Sequence, residues 1–145
     1  MENNDQIISD LKGLVNILND GKEGYGSAAE ATGNPELKAL FTRYAGQRAG
    51  YAQELKSHIA THGGASDNND GGILGALHRT WIDIKQALSS KEDKAILEAV
   101  TTGEKAALEK FDHAMQNYKE HADHFALLEK QRAGIAEALA DIESR

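Results

Sequence analysis

The 145-residue chain has the length of one domain and enough residues to bury a core. Its net charge of −7 and pI near 5.3 argue against nucleic acid or an anionic membrane as the main partner, because phosphates call for a basic surface. Cysteine is absent, which excludes disulfides, zinc–thiolate sites and thiol catalysis. The polar, acidic start MENNDQIISD has neither the basic nor the apolar region of a signal peptide, and no apolar run approaches the roughly 20 residues of a membrane span. A cytoplasmic, alanine-rich helical protein is the expectation.

The first segment, about Asp5 to Thr32, spaces Ile7, Leu11, Leu14, Leu18, Gly21, Tyr25, Ala28 and Thr32 by fours and threes, the stripe of a bundle helix. Gly21, Gly24 and Gly26 interrupt it within NDGKEGYGSAAE, each about 1 kcal/mol worse than alanine in a helix interior. Either the chain turns there or other atoms approach the backbone closely. Because the stripe keeps its phase, the reading is one continuous helix. Gly33-Asn34 stops it, and Pro35 suits the first position of the next helix, where a missing N–H is harmless.

The second segment, Pro35 to about His62, repeats the pattern through Leu37, Phe41, Tyr44, Arg48, Tyr51, Leu55 and His58. So short a connection makes the two helices antiparallel neighbours. GGASDNNDGG, residues 63–72, reads as a flexible polar linker. A third, shorter helix is expected over about Gly72 to Leu88, with Leu74, Leu77, Trp81, Ile84 and Leu88 inward and His78 and Lys85 at the stripe's edge. The fourth starts near Lys91, after a possible Ser89-Ser90 cap, and shows Leu97, Val100, Glu104, Ala107, Phe111, Ala114 and Tyr118. A last helix, about Ala122 to Glu143, carries Phe125, Leu128, Arg132, Ile135, Leu139 and Ile142. No segment alternates with period two. The expected fold is all-α: a single helical domain over 1–145, with a four-helix bundle over about 5–118 and an additional C-terminal helix over about 122–143.

Several stretches carry a resemblance: Asp20-Gly21-Lys22-Glu23-Gly24-Tyr25 with Ala28-Ala29-Glu30, the Gly-rich linker, Leu77-His78-Arg79-x-Trp81 with Lys85, and Gly103-Glu104. Over roughly residues 5–118 the chain resembles a bacterial domain-of-unknown-function family placed among the ferritin-like four-helix bundles. The resemblance implies a ferritin-like up-down bundle, carries an association with bacterial stress physiology, and raises iron as a cofactor through the fold.

A ferritin-type di-metal site takes a Glu from two helices and Glu-x-x-His from two others. No glutamate here is followed three residues later by histidine; the pairs present are Glu54/His58, Glu109/His113 and Glu120/His124, four apart. At about 100° per residue, Glu23 and Glu30 fall off the first stripe, and Glu109 and His113 lie opposite the fourth. Glu104 is squarely inward, joined by His58 and, at the edge, Glu54. That is little carboxylate for two hard divalent ions. The metal alternative therefore rests on Glu23, Glu54, His58 and Glu104, with a single ion at Glu54, His58 and His62 a weaker variant, against a leading reading with no cofactor.

Arg48 and Glu104 each sit mid-stripe among apolar neighbours. A buried arginine needs a partner, and a carboxylate offers two prongs, so a structural ion pair is expected, with Lys85, His78 or the Tyr25, Tyr44 and Tyr51 hydroxyls able to join it. His58 and His62 near their helix end are most simply cations or hydrogen-bond donors for terminal carbonyls, and Trp81 is core. Glu120 with His121 and His124 has a helical spacing able to bind a metal, but reads first as a solvated face. The glycines form no phosphate loop, and no nucleophile–base pair emerges.

Gly24, with Gly13 and Ala31, lies on the side of the first helix away from its stripe, and Ala39, Gly46, Gly50 and Gln53 make a similar strip on the second. A solvated face gains nothing from glycine, so Gly24, Gly46 and Gly50 are expected in a docking surface, either for the C-terminal helix or for a second copy of the chain. The expected function is accordingly non-enzymatic contact with another protein or, as a homo-oligomer, with a second copy in a dimer. The alternative is a ferritin-like iron oxidase or iron-binding protein.

Overall fold

The computed structural model describes residues 4–61, 92–118 and 122–145. Among them are four helices: α1 (Asn4–Ala31), α2 (Pro35–Thr61), α3 (Asp93–Asn117) and α4 (Ala122–Glu143). No strand occurs among the described residues, and no helix is long and apolar enough to cross a membrane. The expected third segment, with His78, Trp81 and Lys85, lies outside the described residues, as do His62, Glu120 and His121.

α1 runs unbroken through its glycines. All eight residues of its stripe are buried, and so are Gly13, Ile17 and Gly24. Burial thus covers more than half of the helix circumference. The chain then turns on Gly33-Asn34 as its local chemistry dictates. Asn34 Oδ1 accepts from the N–H groups of Glu36 (2.9 Å) and Leu37 (3.3 Å), capping the donors that a helix start leaves open. Thr32 Oγ1 accepts from Asn34 N and donates to Asp93 at 2.7 Å, tying the turn to the start of α3. Lys38 Nζ donates to the Ala29 carbonyl near the C-terminal end of α1.

Paired contacts fix the directions. Tyr25 meets Glu104 and Asp10 meets Tyr118, so α1 and α3 are antiparallel. Tyr44 meets Asp141 and Glu54 meets Lys130, so α2 and α4 are antiparallel as well. Asp112 with Arg132 and Lys105 with Glu143 do the same for α3 and α4. The four described helices close a square in which the backbone of α1 lies against α2 and α3, that of α4 against α3 and α2, and the backbones of the diagonal pairs stay apart. α2 and α3, across one diagonal, therefore run in the same direction.

The C-terminal helix, expected as an addition to a bundle made by earlier segments, is a wall of the core. Leu128, Ile135 and Ala138 are fully buried and Ile142 nearly so. Its expected inward stripe is also turned by part of a revolution. Phe125, Arg132 and Leu139 are only half-buried, while His124, Gln131, Gly134 and Ala138 go inside. Gly134 explains the rotation: Tyr51 of α2 lies so close that a Cβ there would come within 1.8 Å of its hydroxyl. Only glycine admits that approach.

Candidate functional site: a buried arginine–glutamate–tyrosine layer

Midway along the bundle, Arg48 of α2 and Glu104 of α3 are each 1% exposed. Arg48 Nη1 and Nη2 donate to Glu104 Oε1 and Oε2, both at 2.5 Å, a fork-to-fork pair. The Tyr25 hydroxyl of α1 donates to Oε2 at 2.5 Å, and Arg48 Nε reaches Gln47 at 3.2 Å. The guanidinium carbon lies 5.4 Å from the centre of the Tyr25 ring, within cation–π range. Tyr25 in turn packs against Phe41 and Tyr44.

Gly21 makes room for this layer. A Cβ there would sit 3.2 Å from Arg48 Nη1, tighter than ordinary contact. The glycine that interrupts the α1 stripe is therefore the seat of the arginine. Burial pushes the Tyr25 hydroxyl far above the ordinary phenol range, and the neighbouring Glu104 carboxylate adds to the rise. For Arg48, burial alone would lower the pKa, but the hydrogen bonds and charge of Glu104 outweigh it and the guanidinium stays protonated. The layer holds one cation, one anion and one neutral hydroxyl, a balanced set.

The four candidates for an iron site do not converge. Both oxygens of Glu104 are taken by Arg48, so an ion there would have to displace a buried guanidinium. Glu23 is exposed on α1. Glu54 accepts from Lys130 and from Gln131 Nε2, and the Lys130 hydrogen bond, followed by that of Gln131, holds its carboxyl below the usual range. His58 turns to α4. These residues do not fit a ferritin-type di-iron centre.

His58, near the end of α2, reaches across to α4. Its Nε2 faces Nδ1 of His124 at 2.7 Å, with the two rings nearly perpendicular. Sequence reasoning placed His124 on a solvated face; only 5% of it is exposed. It also missed Gln131, fully buried, whose Nε2 donates to the Tyr51 carbonyl and to Glu54. The one available signal was Gly134, an interior helix glycine marking close approach on that side of α4.

The glycine strips separate. Gly24 is buried within the chain, whereas Gly46 and Gly50 are exposed, with nothing among the described residues within 4 Å of where a Cβ would stand. The three do not share one outer surface, because α1 is buried well beyond its stripe. At the bundle end near Asp93, an open groove of about 890 Å³ runs between Leu97 of α3 and Ile142 of α4, with charges of both signs on its rim.

The fold and this layer define an all-α helical bundle organised around a closed, buried ion pair. The chain belongs to the family described as Domain of unknown function (DUF2383), whose model matches residues 6–117. That match takes in Tyr25, Arg48 and Glu104 and ends before α4. Neither a curated protein nor a solved structure matches the chain.

Proposed function

We propose that this protein is a ferritin-like, cytoplasmic bacterial bundle without catalytic chemistry of its own, and that it acts through protein–protein contact, pairing with a second copy through the outer face of α2. The helix directions support the ferritin-like part: two antiparallel pairs, with α2 and α3 running the same way, match a bundle with one crossover connection. The non-enzymatic part is supported by the central layer, where the inward carboxylate is fully engaged by Arg48 and Tyr25 and is not poised for a substrate.

One observation carries the contact reading. Gly46 and Gly50 stand about one turn apart on the exposed face of a long helix, each opening onto free space. In a solvated helix each costs about 1 kcal/mol against alanine, and nothing among the described residues offsets that. A symmetric pair, the commonest oligomer, lets the same lowered surface of two α2 helices approach backbone to backbone.

Sedimentation equilibrium on the wild type and Gly50→Arg tests the reading. A wild-type dimer and a monomeric, equally helical Gly50→Arg are expected. A wild type that stays monomeric at high concentration, with Gly50→Ala more stable by about 1 kcal/mol, would show a merely solvated face.

A further inference from the structure

We infer that the end of the bundle where α2 finishes and α4 begins is a site for one borderline divalent transition metal, Zn(II) in kind, held by His58, His124 and Asp123. The ligand atoms of the three lie within 4.8 Å of one another. They come from two helices distant in sequence, so the fold and not a local run of residues assembles them.

Two imidazole nitrogens facing each other at 2.7 Å share one proton. A tetrahedral ion with bonds of about 2.0–2.1 Å holds its nitrogen ligands roughly 3.3 Å apart. Replacing the shared proton by an ion therefore needs a separation of only about 0.6 Å more, with a tilt of the rings. The nearly perpendicular rings, 4.9 Å between centres, allow both lone pairs to turn toward a common point. Asp123, exposed in the first turn of α4, adds an anionic oxygen, and water completes the shell. Two imidazoles and one carboxylate suit Zn(II), Co(II) or Ni(II) better than Mg(II) or Ca(II), which prefer all-oxygen shells.

The ring of His124 is also held from behind. Tyr118 packs edge-on against it at 6.2 Å, and the Tyr118 hydroxyl donates to Asp10 of α1. That packing restricts how far the His124 ring can turn. The C-terminal end of α2, carrying His58, contributes the negative end of its helix dipole to a bound cation. The site lies far along α2 from Arg48 and uses neither Glu104 nor the central layer. A bound ion would clip α4, beyond the family match, to the end of α2 within it.

The test uses the full chain without a His tag. Co(II) titration followed by visible absorption, and Zn(II) titration followed by calorimetry and thermal unfolding, are run on the wild type, His58→Gln, His124→Gln and Asp123→Asn. One equivalent per chain, a tetrahedral Co(II) spectrum and a raised Tm are expected for the wild type. His58→Gln should lose the spectrum, and Asp123→Asn should bind about tenfold more weakly or worse, since even outer-shell losses have effects of that size. Asp123 is exposed, so its variant reports on binding even if His124→Gln folds poorly. His113→Gln, exposed on α3, should bind as the wild type does. A wild type that takes up no stoichiometric metal overturns the inference, as does unchanged affinity in His58→Gln and Asp123→Asn.

Discussion

At Arg48 three helices bring together a cation, an anion and a hydroxyl, and both carboxylate oxygens are engaged. Less than two turns further along α2, Gln131 enters between Tyr51 and Glu54. Its amide nitrogen is satisfied twice, while its buried carbonyl oxygen has no hydrogen-bond partner among the described residues. Both layers bury polar groups, but only the first is built of mutually dependent charges. Removing half of a charged layer strands the other half, whereas removing a neutral, half-satisfied group leaves little behind.

The sharpest break of that contrast is Arg48→Met. Leaving Glu104 buried without its cation should cost about 3–5 kcal/mol in urea unfolding, and Arg48→Met with Glu104→Leu should recover much of it. An unchanged midpoint for the single variant would show that the layer is not coupled.

Tyr25→Phe comes next, with an expected loss of about 1.5–3 kcal/mol for a hydrogen bond to a charged group. It also carries a pH signature. In the fold the Tyr25 hydroxyl stays protonated where an unfolded phenol ionises, so its contribution is complete below about pH 10 and declines above it. Wild-type stability should therefore fall more steeply than that of Tyr25→Phe as pH rises beyond about 10, by up to roughly 1.4 kcal/mol per unit. Parallel curves would contradict the burial of that hydroxyl.

Gly21→Ala is smaller. Helix propensity favours alanine by about 1 kcal/mol, while crowding Arg48 Nη1 costs about 1–3, for a net loss near 1. The same change at Gly50, where no neighbour stands, should show no such loss in the isolated fold. If both behave alike in thermal melts, Gly21 is not the seat of the arginine.

Gln131→Met should move stability by less than about 1 kcal/mol, because the two bonds lost, one to a backbone carbonyl and one to the half-exposed Glu54 carboxylate that keeps Lys130, go together with one unpartnered carbonyl. A loss as large as that of Arg48→Met would make the two layers equivalent and erase the distinction.

The same two layers show what can be read before folding. Arg48 and Glu104 were legible because each stands alone in an apolar stripe, where only a countercharge makes burial tolerable. The turn at Gly33-Asn34-Pro35 was equally plain, since its chemistry is local. The face of α4 was not. Apolarity favoured Phe125 and Leu139, but the buried arc runs through His124, Gln131 and Gly134, whose partners lie on α2. Hydrophobic periodicity records which residues avoid water, not which polar ones find a partner elsewhere. The breadth of burial on α1 was hidden for a related reason: Gly13 and Gly24 have no side chains to announce an inward face.

The position of α4 bears on how the molecule comes to be made. α1, α2 and α3 emerge from the ribosome before it, with Tyr44, Tyr51, Glu54 and His58 still waiting for Asp141, Gly134, Gln131 and His124. The central layer can close on the first three helices alone, since Tyr25, Arg48 and Glu104 are all in place once α3 is out. Synthesis at about 5–20 residues per second leaves only seconds between the two events. A chain whose α3 has emerged while α4 has not would therefore have its charges able to pair with one side of its core still open to water.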